Sequence, residues 1–580
     1  APAGARPEAE VGRAERKVKT FSPSALTGWL ESPFRAWMDR LLKECPDDPR
    51  CAFICKDPLM ECFYERGNRV EERFLQWYQR EKGGRVRDMA EFVPQAVKEF
   101  GRAWQAPAAQ RALDELVLGE FDLYFQVPLH NPDMRLAGIA DFVFRTERPD
   151  GAVEFTIWDT KLAIHSRSSM VLQLGAYALT LRSSLRARGA DAVVGKVGLV
   201  LGEEAADAGN AYEFEEEEVR PYLEELWGRH LRFQDAFDPS GEPPDPSESP
   251  KQTWGRWAEY GKKVLSERDD LTLVAGIGPK QRQALTAAGV TTMQGFAALP
   301  SAQLPPLVGR DGIATLRKYH QQAQCQCQTL RTGEIATRLR QGAEGAMATL
   351  PQPDDGDVFF DLEGMTLPMP GGAREYLIGV CTRDGSYHSW WSHSEEQERT
   401  SWREFVAWLL ERQRRFRGLH VYHYAPYEAT ALKRIYNDPL MADIRGDISR
   451  VLGMLVDLYK VVLNSLVVGL PGYGLKQIER LYRGSRGTSV SGALDSVVVY
   501  HQWLNSAEGQ DHHTSEHLRS IRDYNRDDCE STLELLSWFR ERWADAIADA
   551  ASVAAAWGPP AAPDEGKPPT DRAEDMRLAF

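Results

Sequence analysis

Two carboxylates two residues apart, Asp361 and Glu363, interrupt the apolar run "VFFDLEGM" (358–365). Period-two alternation puts Val358, Phe360 and Leu362 on one face of a strand and Phe359, Asp361 and Glu363 on the other. Like charges about 7 Å apart along a strand repel unless a cation lies between them. Oxygen donors of this kind suit Mg²⁺ or Mn²⁺. Further on, "LHVYHYAPYEATALKRI" reads as strand, turn and helix, with Glu428 at the helix start. "IRDYNRDDCESTLELLSWF" reads as an amphipathic helix on which Ile521, Tyr524 and Asp528 share a stripe and Tyr524 and Asp528 are i, i+4 neighbours. The expected set is Asp361, Glu363, Glu428 and Asp528 with Tyr524 beside them. Asp527 competes with Asp528 for the ligand position, and the spacing from Tyr524 favours Asp528.

A second constellation lies in the first half of the chain. "RLAGIADFVFR" (135–145) and "AVEFTIWDTKLA" (152–163) read as a hairpin whose second strand puts Val153, Phe155, Ile157, Asp159 and Lys161 on one face. An Asp and a Lys at the end of an apolar face are expensive to desolvate unless they are used. The helix "SSMVLQLGAYALTLR" follows, with Gln173 and Tyr177 one turn apart on one side.

The motifs of the second half resemble the DEDD superfamily of 3′–5′ exonucleases, which has a ribonuclease H-like fold. The matching residues are the D-x-E of the first strand, the aromatic–acid pair Tyr427-Glu428, and Y-x-x-x-D from Tyr524 to Asp528, which marks the tyrosine-type branch. Glu428 stands where that family has Asp, a ligand one methylene longer, and Asp457 in "VDLYKVV" matches a structural position. The resemblance implies two divalent ions about 4 Å apart that activate a water and stabilise the leaving oxygen of a phosphodiester. Tyr524 would position that water or help deprotonate it.

The first-half series resembles the PD-(D/E)XK nucleases of the RecB type: G-x-x-D at Gly138 to Asp141, D-x-K at Asp159 to Lys161, then Q-x-x-x-Y. It implies a divalent metal on Asp141 and Asp159, with Lys161 orienting water or stabilising charge that develops on phosphate. Gln173 and Tyr177 would contact substrate or brace the site. Upstream, "RGNRVEERFLQ" looks like the helix that supplies a further ligand four residues after a Gly; here that is Glu71, with Glu72 next to it. The pair of domains resembles RecB-like nucleases fused to a ribonuclease H-like domain. Some members of that family continue into a helicase, which implies a helicase partner in cis or in trans.

The elements that must position these residues divide at Pro-rich breaks, "DPSGEPPDPSESP" (238–250) and "LPQPDDGD" (350–357). The expected order is a disordered leader (1–19), a nuclease domain (20–240), a linker (241–268), a middle unit (269–345), a ribonuclease H-like domain (346–548) and a Pro-rich tail (549–580). The expected class is a multidomain α/β protein: a restriction-endonuclease-like domain, a small helical domain, and a ribonuclease H-like domain with a mixed sheet. In the middle unit, "DDLTLVAGIGPKQRQALTAAGVTTMQGFAAL" resembles a helix-hairpin-helix module. Its Gly276 and Gly278 let backbone amides approach a phosphate, with Lys280 and Arg282 nearby. A plain helical hairpin used for packing is the alternative. The basic run "WLLERQRRFRG" (408–418) reads either as a strand-tracking surface or as a solvated helix face.

Many RecB-like relatives hold an iron–sulfur cluster on four cysteines. The corresponding places here read Ser32-Pro33 and "KQTWGRWAEYG" (251–261), without cysteine, so no cluster is expected there. Cys45, Cys51, Cys55 and Cys62 could bind Zn²⁺, but without a C-x-x-C knuckle they read equally as core thiols or an adventitious disulfide. Uneven cysteine spacing argues against a secreted disulfide framework, and no run of about 20 apolar residues predicts a membrane span. These features suggest a cytoplasmic protein. The net charge is −15 over 580 residues, so any grip on nucleic acid must use local basic strips and metal ions. The expected function is a dual nuclease acting on DNA in processing, repair or defence. The alternatives are a nucleic-acid-binding scaffold with one degenerate site, weakest at Glu428, and an RNA-directed exonuclease.

Overall fold

The computed structural model describes residues 19–549 except 56–57, 101–102, 164, 191, 305–311, 341–342, 366–371 and 484–492. The leader (but for its last residue) and the tail (but for its first) lie outside these described residues. The chain divides into two compact units, residues 1–52 with 63–245, and residues 53–62 with 246–580.

The first unit is built on a six-stranded sheet in chain order: β1 (Val86–Asp88), β2 (Leu123–Asn131), β3 (Leu136–Glu147), β4 (Val153–Lys161), β5 (Ala192–Leu201) and β6 (Tyr212–Glu215). The β1–β2 and β4–β5 pairs are parallel and the others antiparallel. The β4–β5 crossover is the helix Ser168–Ala187, whose Leu174, Ala178 and Leu181 pack with Val143, Phe155 and Ile157. On the opposite face Val70 and Phe74, from the helix Pro58–Glu81, pack with Leu123, Phe142 and Val200. Burial on both faces explains why these strands are rich in Val, Ile and Phe.

Apart from a register shift at Phe155/Thr156 in the β4–β5 pair, the regular pleat breaks beside the acidic residues. Tyr124 and Val127 of β2, and Ala140 and Val143 of β3, all enter the same cluster although each pair is three residues apart. Strict alternation would send the members of each pair to opposite faces. Between them Gln126 has φ +55°, a left-handed backbone that a non-glycine residue seldom adopts. Asp141 sits opposite this irregularity.

Residues 241–268 do not form a bare linker. They hold short 3₁₀ turns and the helix Ala258–Glu267, with Trp254 and Trp257 fully buried and Trp254 Nε1 donating to Pro246 O at 3.1 Å. The Pro/Ser-rich composition suggested a linker, but two indoles with a place to pack outweigh it. Ser32, at the place of an expected cysteine, caps the helix Pro33–Glu44 by accepting from Arg35 N at 3.2 Å.

In the second unit, the helices Pro279–Ala287, Met293–Ala298 and Ile313–Thr332 close over a small core of Leu271, Ile277, Leu285, Phe296 and Leu316. Gly276, at φ +94°, makes the turn before the first of these, and a Cβ there would meet Tyr319 Cε1 at 2.8 Å. The long helix Ile313–Thr332 fastens this module to the segment around Val468 and Tyr473. Gln322 Nε2 donates to Val468 O at 2.7 Å and Gln322 Oε1 accepts from Tyr473 OH at 2.7 Å, both buried. Two short strands, β7 (Thr337–Leu339) and β13 (Leu466–Val468), pair beside it.

The main sheet of this unit contains β8 (Val358–Gly364), β9 (Glu375–Thr382), β10 (Tyr387–Trp391), β11 (Val421–His423) and β12 (Leu455–Asp457), in spatial order β10-β9-β8-β11-β12. The first three form an antiparallel meander, and β11 and β12 run parallel to β8. The turn at Asp384-Gly385 closes β9 on β10, with Gly385 at φ +83°. Val358, Phe360 and Leu362 pack with Trp402, Phe405 and Leu409 of the helix Glu395–Arg415. Phe359 packs on the other side with Cys529, Leu535 and Phe539 of the helix Glu516–Arg542. The alternation in "VFFDLEGM" therefore sorts the strand as expected. The run 408–418 is mostly the C-terminal end of the helix Glu395–Arg415, where Arg414 and Arg415 pair with Glu411 at 2.5 and 3.9 Å. Among the described residues, no helix is long and apolar enough to cross a membrane.

Candidate active site

The second unit brings Asp361, Glu363 and Asp528 together. Each offers a carboxylate oxygen within 4.8 Å of the others, and among the described residues no other group of three or more His, Cys, Asp or Glu side chains converges this closely. Asp361 and Glu363 come from the central strand β8, and Asp528 from the helix packed across its face. Glu363 and Asp528 are buried, at 3% and 7% exposure. Burial, then the neighbouring carboxylates, push Asp361 well above the usual carboxylate range. The same causes raise Glu363 to about 8. Such a set is electrostatically incomplete without a cation, and its all-oxygen, anionic donors fit Mg²⁺ or Mn²⁺.

Glu428 occupies the first turn of the helix Tyr427–Asn437 and is 3% exposed, but it is outside this trio. Its Oε2 lies 3.3 Å from His423 Nδ1 at the end of β11. It remains close enough for its charge to raise Asp361. Asp527 faces Arg483 instead, at 3.8 Å, while Asp528 joins the cluster. Tyr524 is almost fully buried one turn before Asp528. Burial and the charges of Asp528, Glu363 and Asp361 hold its hydroxyl protonated far above the usual tyrosine range. Asp457 has a local role: its Oδ1 accepts from Ala425 N and Tyr459 N, both at 3.1 Å, fixing the loop before Glu428.

Three residues that the sequence did not single out complete this site. Lys476 Nζ lies 3.2 Å from Asp528 Oδ1 and 4.0 Å over the Tyr524 ring. Asn525 Nδ2 donates to Asp361 Oδ2 at 2.8 Å, and its Oδ1 accepts from Tyr387 OH at 2.8 Å. His423 is the third. Lys476 lies in no motif, and Asn525 shares the buried face one turn after Ile521 but is a neutral side chain that no acidic pattern marks. His423, five residues before Glu428 in an apolar strand, was the readable signal.

In the first unit, the register Phe142↔Trp158 and Val143↔Ile157, extended by one step, sets Asp141 opposite Asp159. Lys161 Nζ stands 2.5 Å from the buried Asp159 Oδ2. Gln126 Nε2 donates to Glu71 Oε2 at 3.0 Å and to Asp141 Oδ1 at 3.4 Å. The unusual backbone at Gln126 thus supplies a neutral donor between two acids. Burial, then Asp159 and Glu71, raise Asp141 well above its usual range. Burial and Asp159 raise Glu71 to about 7. Burial alone would lower Lys161, but the surrounding carboxylates win and raise it, so it stays charged. The carboxylates here are less tightly gathered than in the other cluster. Their donors also suit a hard divalent ion.

Tyr177 is buried with its ring on β3, where a Cβ at Gly138 would meet Cε1 at 2.7 Å. The glycine of the G-x-x-D motif is therefore a steric requirement of the tyrosine in the helix. Gln173 and the Ile139 backbone lie near the Tyr177 hydroxyl, beside the strand that carries Asp141.

In the helical module, Lys280 is exposed, whereas Arg282 is committed to the buried Asp270, Nε to Oδ2 at 2.8 Å. The Gly278 amide is taken by Gln281 Oε1 at 3.2 Å. The four cysteines considered for Zn²⁺ divide between the two units, Cys45 and Cys51 in the first and Cys55 and Cys62 in the second. None joins a converging ligand group among the described residues.

Comparison with known families agrees with this geometry. A model of the PD-(D/E)XK nuclease superfamily matches residues 20–246, and one of the RNase H superfamily matches residues 358–540. Among curated proteins, no relative matches the chain. The chain thus joins a PD-(D/E)XK nuclease-superfamily domain to an RNase H-superfamily domain, and it is a nuclease of the kind these two superfamilies define.

Proposed function

We propose that this protein hydrolyses phosphodiester bonds in DNA at two divalent-metal sites. The first unit cuts strands and the RNase H-superfamily domain trims ends in the 3′ to 5′ direction. The observation that carries this reading is the convergence of Asp361, Glu363 and Asp528 within 4.8 Å, from a central strand and the helix covering it. Asp361, Glu363 and Asp528 would hold Mg²⁺ or Mn²⁺, with Glu428 at the edge. Asp141, Asp159 and Glu71 would do so in the first unit. A divalent ion bound there supplies Lewis-acid stabilisation of the leaving oxygen and acidifies a water.

The chain's own groups do the rest. Tyr524, held protonated, donates its hydroxyl and orients the attacking water rather than removing its proton. Lys161 keeps a positive charge where a phosphate oxygen gains negative charge. Asn525 and Gln126 hold Asp361 and Asp141 in place. The exposed Gly276 turn and Lys280 form a helix-hairpin-helix phosphate contact, while the Gly278 amide is held by Gln281. A role in repair or defence, with a helicase working alongside, follows by analogy with the fused nuclease family that the motifs resemble.

The test is cleavage of end-labelled DNA and RNA with Mg²⁺ or Mn²⁺, comparing Asp159→Ala and Asp361→Ala. Loss of a separate activity in each variant supports two sites. Unchanged cleavage in both would sink the proposal, and preference for RNA would redirect it. The second reading, a scaffold with one degenerate site, draws on the engagement of Glu428 by His423. It predicts that Asp361→Ala alone leaves nuclease activity intact.

A further inference from the structure

Two open troughs in the second unit adjoin each other. One, of about 870 Å³, runs from Gly276 past the exposed Arg317 and Lys318 and the rings of Tyr319 and Tyr459. The other, of about 520 Å³, runs past the exposed Lys460 and Lys433 to His423. Ala346 and Asn464 line both, so the floor is continuous. Five cations border this path, Arg340 included, against one acid, Asp457, on a chain whose net charge is −15. Among the described residues, Arg317, Lys318 and Lys433 make no ion pair, while the exposed Lys460 pairs with the largely buried Asp457 at 3.4 Å. Positive charge concentrated on an otherwise acidic protein selects a polyanion. Ring faces between the cations suit unpaired bases, which a duplex keeps stacked on each other.

We propose that these troughs form one track for an unpaired nucleic-acid strand, leading from the Gly276 hairpin to the Glu428 side of the carboxylate cluster. His423 links the end of the track to the cluster, since it lines the trough and contacts Glu428. The proposal rests on the nuclease reading only for where the strand ends, not for binding itself.

The experiment is fluorescence anisotropy of labelled dT12 with the full chain in EDTA, so that no cleavage intervenes. Arg317→Glu/Lys318→Glu and Lys433→Glu/Lys460→Glu should each weaken binding at least ~10-fold. The corresponding double alanine variants should each flatten the slope of log affinity against log salt by about 1.4, at roughly 0.7 for every phosphate no longer neutralised. Tyr459→Ala should weaken binding ~10-fold and Tyr459→Phe should restore it, because stacking needs the ring and not the hydroxyl. The four cations are exposed, so an unchanged melting temperature verifies the fold of each variant. Unaltered affinity in both charge-reversed variants overturns the track. A blunt 12-base-pair duplex that competes as well as dT12 overturns its single-strand character. If wild-type protein binds dT12 through these residues yet cleaves nothing when Mg²⁺ is added, the nuclease reading fails and the track stands. If cleavage is lost in Asp361→Ala but the charge-reversed variants bind normally, the track fails and the nuclease reading stands.

Discussion

Asp361 is placed for chemistry at a cost to folding. It shares a buried region with Glu363 and Asp528, and burial and their charges raise its affinity for a proton. Asp361→Asn should therefore lower cleavage at least ~100-fold while raising the metal-free melting temperature by about 2–4 °C, because it removes a like-charge repulsion. Parallel activity assays and calorimetry in EDTA test this; a lower melting temperature would contradict the electrostatic account. Lys476 gives a second prediction. Its ammonium meets both Asp528 and the face of Tyr524. Lys476→Met should leave the acids less compensated and change the affinity for Mn²⁺, measured by calorimetric titration without substrate. Lys476→Arg should restore much of the wild-type affinity, since a guanidinium can also pair with a carboxylate and lie over a ring.

At the level of elements, the active strand depends on glycines in its neighbours. A Cβ at Gly379 of β9 would lie 1.7 Å from Asn525 Oδ1, so alanine there must push Asn525 away from Asp361. Gly379→Ala should destabilise the fold by about 1–3 kcal/mol and reduce cleavage ~10-fold or more. Adding Asn525→Ala should recover the stability but not the activity, and a double-mutant cycle in urea reads the coupling. In the first unit, His230 on the helix Glu216–Asp235 is fully buried among Phe21, Trp29 and Trp227. Burial, then Arg135 and Arg40, lower its pKa to about 4. The unfolded chain binds the proton first, so the stability from neutral His230 is complete above about pH 6.5. It is lost as pH falls toward 4, by ~3 kcal/mol at most. His230→Phe should flatten that part of the profile of melting temperature against pH.

At the scale of the whole molecule, two separately cored units carry two acidic clusters. Their products should be separable. Asp159→Ala should retain release of mononucleotides from linear 3′-labelled DNA and lose cutting of circular single strands. Asp361→Ala should do the reverse, and the double variant should lose both. A single variant that abolished both activities would mean that one cluster serves the whole protein.

The sequence alone determined what local periodicity and residue chemistry can fix. Alternation placed Asp361 and Glu363 on one face of β8 and Asp159 beyond Phe155 and Ile157 on β4. Helical spacing aligned Tyr524 with Asp528, and Gly276 marked the turn it makes. Only the tertiary structure decided contacts made between distant segments, since no local pattern records them. It drew Glu428 toward His423, set Lys476 against Asp528, and folded Trp254 and Trp257 into a stretch that composition made look like a linker. It also broke the pleat at Gln126, whose left-handed backbone is held by strand pairing and the neighbouring acids and not by any preference of glutamine itself.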